Sequence, residues 1–179
     1  MILLFIIGSA LPAQGQASSP SEYQLKAAFL FNFAKFIEWP QDAFAGPQSP
    51  FAICVFGKDP FGNSLDEVLA NKTVGDRSIS IQRTKAIAEL RHCQIVFVSH
   101  PETERVADIV GALEGTNVLL VGESEGFAAS GGMIEFTLEQ GRVRFSINPD
   151  AAEHANLRFS SKLLALAKIV HGVNHPRGG

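Results

Sequence analysis

Phe51-Ala-Ile-Cys-Val-Phe-Gly-Lys-Asp-Pro-Phe-Gly62 decides how the rest of the chain is read. An unbroken apolar run from Phe51 to Phe56, closed by Gly and Pro, matches a strand buried on both faces. The segments after it keep an alternation of strand and helix. A helix is predicted over about Asn63–Ala70, with Leu65, Val68 and Leu69 on one face, and Ser78-Ile-Ser-Ile-Gln82 alternates as a half-buried strand. A strand over Ile95–Ser99, a helix over Glu102–Leu113 and a strand over Val118–Val121 follow. Short Val, Ile and Phe runs between amphipathic helices predict parallel strands covered on both faces.

Downstream the character changes. Met133–Leu138 and Val143–Ile147 flank Glu139-Gln-Gly-Arg142, which predicts a β-hairpin. A helical stretch from Asp150 to Leu157 then leads to a last helix over Ser161–Val170, with Leu163, Leu164, Leu166, Ala167 and Val170 expected inside. Upstream, Ser21 and Gln24 suit a capping box, and Leu25, Phe29, Phe33, Phe36 and Ile37 recur at helical spacing. Pro40 is expected to end that helix. Lys26 and Lys35 leave it only a narrow polar face, so it must be covered nearly all round, inside the domain or by a partner. The fold class is α/β: a single domain with a mixed, partly parallel sheet of about six strands flanked by helices, ending in a C-terminal β-hairpin and helix.

Composition limits the function classes. The chain has 179 residues, 46% hydrophobic and 18% charged, with a net charge of −3. That excludes a mostly disordered chain, and the absence of a Lys/Arg block argues against binding nucleic acid by phosphate neutralisation. Fourteen Phe stand against one Trp and one Tyr, an excess that composition alone does not explain. Met1-Ile-Leu-Leu-Phe-Ile-Ile7, broken by Gly8-Ser-Ala-Leu-Pro12 and followed by Gly15-Gln-Ala17, fits an export leader cleaved near Ala17. No Lys or Arg precedes the run, and it is shorter than the roughly 20 residues that span a bilayer. The leader then covers 1–17 and the domain 18–179. In an exported protein, Cys54 and Cys93 suggest a disulfide closing a loop of about 40 residues; two buried thiols are the alternative.

Few residues suggest chemistry. Gly122-Glu-Ser-Glu-Gly126 matches the G-x-S-x-G pattern, but no room for the required helix follows it, and Glu123 and Glu125 oppose an oxyanion. A surface loop is the better expectation. Gly57–Gly62 lacks phosphate-loop spacing, and Gly131-Gly132 suits a tight turn or close packing. His171 and His175 stand four apart without the intervening Glu of a zinc motif. The acidic pairs Asp66-Glu67 and Glu102/Glu104 fit solvated helix faces. Arg142, Arg144, Asn148, Ser160 and Lys162 are candidates to border a small-ligand cleft at the end of the sheet. The same residues also fit structural roles, with Ser160 as an N-cap, Asn148 in a turn and the arginines on the hairpin's outer face. No catalytic residue, metal or cofactor is assigned.

Glu22-Tyr-Gln-Leu-Lys-Ala-Ala-Phe-Leu-Phe-Asn-Phe-Ala-Lys-Phe-Ile-Glu-Trp-Pro40 resembles the opening helix of the YfiR family. Ile53-Cys-Val-Phe-Gly-Lys-Asp-Pro-Phe-Gly62, Cys93 before a strand, and Gly126-Phe127 followed by Gly131-Gly-Met-Ile-Glu-Phe136 extend the resemblance. Val143-Arg-Phe-Ser-Ile-Asn148 and Leu157-Arg-Phe-Ser-Ser-Lys-Leu-Leu164 carry it to the end of the domain. The resemblance implies a periplasmic α/β protein without catalytic activity. Such a protein represses an inner-membrane diguanylate cyclase through the cyclase's periplasmic sensor domain, or acts on another receptor. It also implies sequestration by an outer-membrane lipoprotein, a homodimer, and pairing of Cys54 with Cys93. The family's second disulfide has no counterpart here, so a two-bridge redox switch does not carry over.

Overall fold

The computed structural model describes residues 20–172; the expected leader over residues 1–17 and His175 lie outside the described residues. α1 (Glu22–Phe36) begins at a reciprocal cap. The Gln24 N–H donates to the Ser21 hydroxyl at 3.2 Å, and the Ser21 N–H donates to Gln24 Oε1 at 2.8 Å. The helix stops at Phe36 rather than running to Pro40, because Ile37–Glu38 leaves as β1 and pairs antiparallel with β9 (Arg158–Phe159). Its last-turn carbonyls find other donors: Ile37 N–H bonds Phe33, the Trp39 indole N–H bonds Ala34 at 3.0 Å, and Ser160 N–H bonds Phe36 at 3.0 Å. Tertiary pairing thus outweighs the helical spacing.

The intervening elements are β2 (Phe51–Phe56), α2 (Ser64–Leu69), β3 (Thr73–Val74), β4 (Arg77–Thr84), β5 (Ile95–Val98), α3 (Val106–Leu113), β6 (Leu119–Gly122), β7 (Ile134–Glu139), β8 (Arg142–Ile147) and α4 (Pro149–His154). α5 (Ser161–Leu164) and β10 (Lys168–Ile169) close the described chain. The main sheet has eight strands in the order β10-β8-β7-β6-β5-β2-β4-β3. β4, β2, β5, β6 and β7 run parallel, while β8 is antiparallel to β7 and β3 is antiparallel to β4. The mixed α/β architecture is as expected, but the sheet is wider than about six strands. β3 and β10 are two residues each, too short to leave a hydrophobic pattern.

Two helices differ from expectation. The stretch from Glu102 splits into a 3-10 segment over His100–Arg105, opened by Pro101, and α3 from Val106. The last helix is one turn, after which Lys168–Ile169 pairs parallel with β8 and Val170 N–H bonds Ile147 at 2.9 Å. The β-branched pair Ile169-Val170 thus extends along the sheet's edge, and Leu166 in the preceding turn is 71% exposed instead of buried.

The core has two layers, one on each face of the sheet. On the α1 face, Phe33 lies 5.7 Å from Phe136 and 5.2 Å from Phe145, and Phe29 lies 5.3 Å from Phe145. Offset and edge-on rings at these separations add to the area they bury. The aromatic excess is therefore largely internal, although Leu25 and Phe36 remain exposed. The other face packs Phe56, Val96, Val98 and Leu120 against α3 and Phe127. A Cβ on Gly122 or Gly132 would come within 2.5 or 2.3 Å of the Phe127 ring, which explains both glycines by close packing. Gln140 and Gly141 both have positive φ (50° and 73°), as a two-residue type I′ turn requires.

Cys54 and Cys93 are bonded, with Cα atoms 6.0 Å apart. β2 and β5 are neighbours, so the bridge ties the centre of the sheet across the whole excursion through β4. Both cysteines are buried.

Candidate functional site

β1 and β9 frame a groove of about 790 Å³ together with α4 and the start of α5. Trp39 and Pro40 form one wall; Pro149, Leu157, Phe159 and Leu164 supply the apolar part of the rest. Trp39 is fixed by its indole bond to Ala34 and stands edge-on to Phe51 at 5.1 Å. Glu38, Glu153 and Arg158 charge the rim, and no ion pair among the described residues engages Arg158. An anchored aromatic beside an unpaired Arg is a combination that protein contacts favour.

None of the cleft candidates lines this groove. Asn148 is buried; its side-chain oxygen caps α4 by accepting from Ala151 N–H at 3.1 Å, and its amide donates to Ala128 O at 2.8 Å. Ser160 caps α5 by accepting from Leu163 N–H at 3.3 Å. Lys162 is exposed on α5, while Arg142 and Arg144 project from the hairpin's outer face. These side chains are not brought together. Trp39, Glu153 and Arg158, which do converge, were not candidates, because the two-residue strands that join them carry no periodic signal.

A second polar centre lies at the C-terminal ends of β5 and β6. Lys26, expected on the narrow polar face of its helix, is buried and bonds Glu123 at 2.6 Å and Glu22 at 2.5 Å. Tyr23 OH donates to the same Glu123 at 3.3 Å, and the backbone N–H of His100 points at it from 3.4 Å. Burial opposes the Lys26 charge, but the hydrogen bonds to Glu123 and Glu22 outweigh it and its pKa is raised. Burial, and then the Glu123 charge, raise the Tyr23 phenol.

This centre corrects the expectation of a surface loop at Gly122–Gly126. Ser124 is buried, with its hydroxyl 2.7 Å from that of Thr103. Glu135 accepts from the backbone N–H groups of Gly126 and Ala128 at 3.1 and 3.0 Å. A carboxylate thus occupies two backbone donors of this loop. His171 bonds Asp150 at 2.8 Å, and among the described residues no group of three His, Cys, Asp or Glu is placed to hold a metal.

The family model for YfiR/HmsC-like proteins matches residues 23–168, from the second residue of α1 into β10. The chain belongs to the YfiR/HmsC-like family. No curated protein matches it. In this YfiR/HmsC-like protein, the family match takes in the groove, the buried ion pair and the disulfide. The family is one of periplasmic regulatory proteins. No helix of the described residues is long and apolar enough to cross a membrane.

Proposed function

We propose that this protein is a non-enzymatic periplasmic regulator that binds and inhibits a membrane-bound signalling protein, a diguanylate cyclase, and so lowers cyclic di-GMP and biofilm formation. Family membership over residues 23–168 is the observation that carries this reading. The groove supports it by offering Trp39 as a rigid anchor and Arg158 as an unpaired charge for the cyclase's periplasmic sensor domain. Inhibition requires higher affinity for the sensor's inactive arrangement than for its active one. Release then follows capture by an outer-membrane lipoprotein. Reduction of Cys54–Cys93 is the poorer trigger, because both sulfurs are buried and a reductant reaches them only after local opening.

The test is calorimetric titration of the mature protein with the periplasmic sensor domain of a membrane-bound diguanylate cyclase from the same cell. Binding is expected, weakened at least roughly tenfold by Arg158→Glu. No binding contradicts the proposal. A second reading, a small-molecule carrier for a transporter or sensor kinase, draws on the groove's volume, which falls in the usual ligand range. It predicts a ligand-dependent rise in Tm across a metabolite library, and a flat result removes it.

A further inference from the structure

β8 is an edge strand along most of its length. β10 pairs only with Ser146 and Ile147, so among the described residues no strand lies beyond Arg142–Phe145 on the outer side. The two-residue turn makes Glu139 and Arg142 a hydrogen-bonded pair, and alternation then makes Leu138–Val143 and Phe136–Phe145 non-bonded pairs. The same parity appears at the far end, where Asn148 N–H bonds Met133 and Ile147 O, facing outward, accepts from Val170. Val143 N–H and C=O and Phe145 N–H therefore face outward with no strand opposite. Such an edge is a template for another extended chain.

Charge says which chain. Arg142 and Arg144 are exposed on one face of β8, and Lys168, in register with Ser146, extends the same face. No ion pair among the described residues engages any of the three; Glu139, opposite Arg142, makes none either. This basic row stands out on a chain whose net charge is −3. A second copy pairing antiparallel would set Arg142 opposite Arg144, or Arg144 opposite itself, which like-charge repulsion disfavours. On the other face, the added strand would extend the layer formed by the buried Val143 and Phe145, next to the half-exposed Ile169 of β10.

We propose that the open edge of β8 at Arg142–Phe145 takes up an extended segment of a partner protein in which acidic residues alternate with apolar ones. The acidic residues would lie beside Arg142 and Arg144, and the apolar ones beside Val143 and Phe145. This surface is separate from the Trp39–Arg158 groove, and its test involves no cyclase.

The experiment measures amide hydrogen exchange at Val143 and Phe145 in the mature protein with a synthetic peptide alternating Glu with Val, and with its Lys-for-Glu counterpart. The acidic peptide is expected to slow exchange at both amides roughly tenfold or more, while the basic one has no effect. R142E/R144E, with Tm unchanged, should reverse that preference, and R144E alone should weaken it. Absence of protection, or equal protection in R142E/R144E, overturns the proposal. So does protection that grows with protein concentration without peptide, which would assign the edge to a second copy.

Discussion

On one side of β6, close to the centre of the sheet, β2 and β5 are joined by the Cys54–Cys93 bond and packed in parallel against α3. On the other, β7, β8 and β10 carry no crosslink. α1 is held there by the rings of Phe29, Phe33, Phe136 and Phe145 and by the buried Lys26–Glu123 pair. The groove and the open strand edge both involve elements of the second side. Chain connectivity is locked where the crossovers are long, and surface for recognition is left where short elements are held by packing and caps.

The sharpest way to break this comparison is to remove the crosslink. Cys54→Ala/Cys93→Ala should lower the unfolding free energy by about 4 kcal/mol, measured by urea denaturation, because the closed loop is long. If the loss is negligible, the bridged side owes its stability to packing alone and the contrast fails. Next in size is Lys26→Met, which leaves Glu123 buried without its cation and should cost about 3 kcal/mol. The pH dependence follows from the raised pKa of Lys26. Its stabilisation is fully present below the unfolded-state value of about 10.4 and is lost as pH rises through the folded-state value. Tyr23, also raised, acts in the same direction. Wild type should therefore lose stability in the alkaline limb above about pH 10, and Lys26→Met should show a flatter limb there.

The two sides also differed in how far they could be read from sequence. The Phe51–Phe56 run and its crossovers announced the bridged side, because parallel buried strands are continuous apolar stretches. The hairpin was equally plain from Gln140-Gly141. Beyond Leu164 the local pattern misled. Leu163 to Val170 has helical spacing, yet Lys168–Ile169 is drawn to the edge of β8. Lys26 and Glu123 each look like solvated charges, and only the fold shows that they neutralise one another at a sequence separation of 97. Trp39 and Arg158 meet through pairing of two-residue strands, which no window of sequence contains.

The smallest predicted effect sharpens the comparison. Ser160→Ala removes the cap of α5 and should cost about 1 kcal/mol. Hydrogen exchange should rise in Ser161–Ile169 while β2 and β5 stay protected. Exchange rising equally across both sides would show one cooperative unit instead of two differently held regions.

The central claim, that this YfiR/HmsC-like protein restrains a membrane-bound cyclase, is tested most directly by intracellular cyclic di-GMP in a strain lacking the gene. The level should rise, return on complementation with the wild-type protein, and stay high with Arg158→Glu. An unchanged level in the deletion strain would contradict the account.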